Sequence, residues 1–88
     1  MNFVDHYKLT GRIKKIKKFL KDNPKILPNG FNIKVSPIID GAICHELEYS
    51  VYFKDKDISV AKMRYYLKEE AKTQGITFPK DYKLTFWI

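Results

Sequence analysis

The stretch Leu9-Thr10-Gly11-Arg12-Ile13-Lys14-Lys15-Ile16-Lys17-Lys18-Phe19-Leu20 decides how the first third of the chain folds. Leu9, Ile13, Ile16 and Leu20 recur at helical spacing. At about 100° per residue they fall within about 60° of one another, one narrow apolar stripe. Phe19 and the aliphatic stem of Arg12 widen that stripe, while Lys14, Lys15, Lys17, Lys18 and Lys21 cover the remaining arc. Asn23-Pro24 ends the helix, because a residue before proline avoids helical angles. Two starts are open. Asp5 caps a helix over about 6–22, or Thr10 caps it and residues 3–9 form a strand with Phe3, Tyr7 and Leu9 on one side.

Beyond the turn signal Pro28-Asn29-Gly30, Phe31, Ile33 and Val35 alternate with Asn32, Lys34 and Ser36, the pattern of a half-buried strand. Alternation resumes from Ile43, with His45, Leu47, Tyr49, Val51 and Phe53 on one side, and predicts the longest, central strand. Asp40-Gly41 suits a two-residue hairpin turn. In that register, however, Val35 faces Glu46 and Ile33 faces Glu48. Pairing 36 with 44 and 33 with 47 restores one apolar face. The sequence therefore predicts a bulge or longer loop over 37–42, helped by Pro37, which cannot donate to a ladder. Asp57 or Ser59 caps a second helix over about 58–74, with an apolar stripe of Val60, Met63, Leu67 and Ala71, Tyr66 alongside it, and Gly75 just past its end. Tyr82, Leu84, Phe86 and Ile88 alternate along a last strand.

The order αββαβ predicts a single α+β domain over 1–88, with two helices on one face of a three- or four-stranded antiparallel sheet. If residues 3–9 are a strand, the order becomes βαββαβ, the ferredoxin-like arrangement. With 44% hydrophobic and 15% aromatic residues, the chain holds enough apolar surface to offset the entropy of ordering. Cys44 is the sole cysteine, which excludes an internal disulfide and fits a reducing, cytoplasmic setting. No apolar run reaches the ~18–20 residues of a membrane span, and no signal-peptide pattern precedes the lysines.

The formal charge of +7 is local. Residues 1–35 hold nine Lys or Arg against Asp5 and Asp22, whereas residues 36–88 hold eight basic and eight acidic residues. Arg12, Lys14, Lys15, Lys17, Lys18, Lys21 and Lys25 are the candidate nucleic-acid contacts. Lysines neutralise phosphates and release counterions but read bases poorly, so backbone contact is the expected mode. An acidic protein surface would use the same patch. On the open sheet face, Tyr52, Trp87 and Lys83 are candidate protein contacts. Base stacking is disfavoured there because Glu46 and Glu48 are expected on the same face.

The sequence predicts no enzyme, cofactor, metal or small-molecule substrate. Cys44 and His45 are neighbours on an expected strand and point to opposite faces, so they form no dyad. His45 is expected on the apolar side. His6, His45 and Asp40 lack metal-ligand spacing. Glu46 and Glu48 lie about 7 Å apart by strand rise, a spacing open to paired acids and commoner among solvated ones. The leading expectation is a small binding module that holds nucleic acid or a nucleoprotein complex. The alternatives are a regulator or inhibitor of the kind phages and mobile elements encode, docking on a host protein through its sheet face or edge strand, and a structural or assembly component that self-associates, as a homodimer for example, through the aromatic last strand.

Overall fold

The computed structural model describes residues 3–25 and 30–87, with backbone alone for 3–7. The turn expected at Pro28-Asn29 and the inward side of Ile88 lie outside the described residues. Helix α1 spans Phe3–Asp22 and α2 spans Val60–Thr73. Strands β1 (Phe31–Ile39), β2 (Ala42–Ile43), β3 (Tyr49–Phe53) and β4 (Tyr82–Trp87) form one antiparallel sheet. Residues 3–9 are helical, so the ferredoxin-like alternative does not hold. The helix extends N-terminally beyond the expected start at about 6.

β1 is the central strand, paired with β3 on one side and β4 on the other. α2 carries the chain across β1 from β3 to β4. Each of those strands is antiparallel to β1, so they run parallel to each other, and such a step needs a crossover of this length. Both helices cover one face. Leu9, Ile13, Ile16 and Leu20 of α1 meet Met63, Leu67 and Ala71 of α2 above Phe31, Ile33, Val35, Tyr49, Phe53 and Tyr82. Tyr49 is buried, and its hydroxyl donates to the Leu67 carbonyl at 2.8 Å. Burial raises its pKa above the ordinary tyrosine value.

α2 has local start and stop signals. The Ser59 hydroxyl accepts from the Lys62 N–H at 3.2 Å. At the other end Ile76 N–H bonds the Ala71 carbonyl and Gly75 N–H the Lys72 carbonyl, with Gly75 at φ 72°. That is the Schellman pattern, which places the positive φ on glycine. Tyr66, expected alongside the apolar stripe, is exposed and packs edge-on against Tyr65.

The strand expected from Ile43 to Phe53 is broken, and the Asp40-Gly41 turn does form. Asp40 and Gly41 both have positive φ, Ile39 pairs with Ala42, and Ile38 pairs with Ile43. The register is corrected not over 37–42 but by a 3-10 turn at His45–Leu47, after which Val35 pairs with Tyr49 and Ile33 with Val51. Pro37 explains the position of the break. Cys44 N–H donates to the Pro37 carbonyl at 2.8 Å. In an antiparallel ladder the reciprocal bond would run from residue 37 to the Cys44 carbonyl. Proline has no N–H, so Leu47 N–H takes that carbonyl at 3.2 Å and closes the 3-10 turn. The apolar face survives as expected, through different partners.

Candidate nucleic-acid interface

On α1 the lysine arc faces away from the core. Lys14, Lys15, Lys18 and Lys21 are exposed, as is Lys25 just beyond the helix. The two edges of the arc are used for packing. Toward β4, the Arg12 guanidinium lies 4.5 Å from the Tyr82 ring centroid and donates to the Tyr82 carbonyl. Lys8 pairs with Asp81 at 3.1 Å, and that bond holds the Asp81 carboxyl below its ordinary range. Phe19 packs edge-on against Phe86 at 5.3 Å. Toward α2, the Lys17 ammonium donates to the Ile58 carbonyl at 2.5 Å, and Arg64 reaches the Thr10 hydroxyl at 3.0 Å. Arg12 and Lys17 are therefore helix fasteners, only partly available to a ligand.

Among the described residues no acid lies within ion-pair distance of Lys14, Lys15, Lys18 or Lys21. Their spacing makes them repel. Residues 14/17, 14/18, 15/18, 17/21 and 18/21 are all three or four apart, and like charges so placed cost about 0.2–0.5 kcal/mol per pair. Lys17, Lys18, Lys21 and Lys56 also line one cleft of about 620 Å³, with Leu20, Pro24 and Asp57. Lys56 was not among the expected contacts. It sits in Lys54-Asp55-Lys56-Asp57, whose alternating charges read as a neutral connector. The fold draws that connector beside the end of α1. Lys15 lines a second cleft with Arg12, Tyr82 and Lys83, so the basic surface continues round the β4 edge.

The opposite sheet face is ordered in transverse rows. Tyr52, Asn32 and Trp87 form one row, and Ser50, Lys34 and Thr85 the next. Beyond them Ser36 pairs with Lys83 and lies beside Glu48. Cys44 and Glu46, expected on this face, are elsewhere: Cys44 precedes the 3-10 turn, and Glu46 is exposed within it. His45 is exposed rather than on the apolar side. Its Nδ1 donates to Glu48 Oε1 at 2.8 Å.

Glu48 thus collects three partners. Ser36 Oγ donates to Oε2 at 2.6 Å, and Lys34 Nζ lies 3.5 Å from the same oxygen. The Ser36 bond, then the His45 bond, lower its pKa from 4.5 to about 2. A carboxyl depressed in the folded state contributes stability above its unfolded pKa, and that stability is lost as pH falls from about 4.5 toward 2. Thermal melts across this window are expected to show a shallower loss of Tm for Glu48→Gln than for the wild type. Equal slopes would show that Glu48 is not the group responsible.

Among the described residues no group of three His, Cys, Asp or Glu side chains is placed to hold a metal ion. No described helix is long and apolar enough to cross a membrane. Comparison with known protein families, curated proteins and solved structures returned no match.

Proposed function

We propose that the protein is a small binding module that holds nucleic acid through its phosphate backbone, using Lys14, Lys15, Lys18 and Lys21 with Lys25 and Lys56 beside them. One observation carries this reading: four exposed lysines stand at repelling spacings on a single helical arc, with no described acid within ion-pair distance. Phosphates would relieve that repulsion, and release of condensed counterions would drive association. The side chains are lysines, which suit point contact with phosphate rather than bidentate reading of bases. Binding would thus be largely indifferent to sequence. The reading fits a cytoplasmic protein, where Cys44 would stay reduced. The test is electrophoretic retention of labelled DNA and RNA at low salt. The wild type is expected to retain both, and retention of neither would end the reading.

A second reading is favoured at the hairpin. Ile39 and Ile43 are 50% and 37% exposed at its tip. Ile39 lines a largely apolar cleft of about 330 Å³ with Pro37, Leu47, Ile76 and Phe78. A protein partner seated there would leave the helix lysines open.

A further inference from the structure

We infer that the open sheet face is a stacking platform for single-stranded nucleic acid, with Tyr52 and Trp87 each taking one base and Asn32 between them contacting a base edge. The proposal rests on the reading above for the class of partner, not for the surface.

The register places it. Asn32 is the cross-strand partner of both Tyr52 on β3 and Trp87 on β4. The two aromatic residues are therefore two strand spacings apart, about 10 Å. Both are exposed, Tyr52 at 57% and Trp87 at 42%, and the row next to theirs is Ser50, Lys34 and Thr85. Bases in a duplex follow one another at about 3.4 Å along each strand. Aromatic residues on the two strands that flank β1 suit bases that are splayed, which only an unpaired strand presents. Asn32 carries both a donor and an acceptor, the set needed to meet a base edge.

The electrostatic objection to bases on this face does not hold in the fold. Glu46 has left it for the 3-10 turn. Glu48 is its remaining acid, and Ser36, Lys34 and His45 occupy its oxygens. Lys34 and Lys83 outnumber it. Lys83 also lines the same cleft as Lys15 of α1, so a phosphate chain leaving the platform at β4 meets the helix lysines round that edge. The Tyr52 hydroxyl lies over Gly30, where an added Cβ would come within 2.7 Å of it.

Trp87 is the only tryptophan and reports directly. Oligothymidylate and oligouridylate are expected to quench its emission by roughly half or more, as stacking on an indole does. Inorganic polyphosphate, which carries charge without bases, is expected to leave it unchanged. By anisotropy of a labelled oligonucleotide, Tyr52→Ala and Trp87→Ala should each weaken binding roughly tenfold, and Tyr52→Phe less than about twofold. Oligonucleotide binding without quenching, with duplex held equally well, would overturn the platform and leave the helix reading standing. Quenching that persists when the helix lysines are reversed to glutamate would support the platform and refute the helix reading. Equal quenching by polyglutamate would overturn the proposal in favour of an acidic protein partner.

Discussion

Replacing Lys14, Lys15, Lys18 and Lys21 together by glutamate is expected to weaken nucleic-acid binding at low salt by at least roughly a hundredfold, while the fold stays intact. Each change removes two units of charge from the arc that would meet phosphate. None of the four side chains packs in the core, and none makes a described bond to a neighbouring element. Lys17 is left out deliberately. Its ammonium ties α1 to the segment before α2 through the Ile58 carbonyl, so a glutamate there would put an acceptor against an acceptor. Loss of binding in a variant that includes Lys17 would mix misfolding with lost contacts. Circular dichroism and a melt of the quadruple variant establish the fold, and fluorescence anisotropy with a labelled oligonucleotide reads the binding. Unchanged affinity in a folded variant would show that the helix does not hold the ligand.

Gly30→Ala is expected to cost about 3 kcal/mol of stability, a fall of roughly 15 °C in Tm for a domain of this size. Two causes combine. Gly30 has φ +134°, a region L side chains rarely adopt, and its added Cβ would stand 2.6 Å from the Phe53 carbonyl oxygen and 2.7 Å from the Tyr52 hydroxyl. The Phe53 oxygen belongs to the backbone of a paired strand and has little freedom to retreat. Gly41 separates the causes. It has φ +81° with nothing within 4 Å, so Gly41→Ala carries conformational strain alone, about 1 kcal/mol. Denaturant melts of the two variants compare them, and similar losses would rule out a close approach at Gly30.

The core stripes of both helices and the inward faces of β1 and β4 were legible because burial follows the period of the element. Leu9, Ile13, Ile16 and Leu20 need only a helix, and Phe31, Ile33 and Val35 only a strand. The break at His45–Leu47 was not legible, since alternation runs unbroken through it. Its cause is a missing N–H at Pro37, eight residues before His45 and across a strand pair. Parity nevertheless survived, because any register that buries one apolar face must preserve it. The basic arc was visible as an arc. Which of its members are spent depends on what lies beside each edge of α1, so the fastening roles of Arg12 and Lys17 became visible only once β4 and Ile58 were placed. Lys56 and the pairing of Glu48 with Ser36 and Lys34 escaped for the same reason: each depends on residues distant in sequence.

Phosphate contact by the α1 lysines is tested most directly by the salt dependence of nucleic-acid binding. For a single-stranded oligonucleotide, four to six contacts predict a slope of log K against log salt of about −3 to −4. The quadruple glutamate variant, if it binds measurably, should lose about 3 from that slope. A wild-type affinity indifferent to salt, or a variant whose slope matches the wild type, would contradict it.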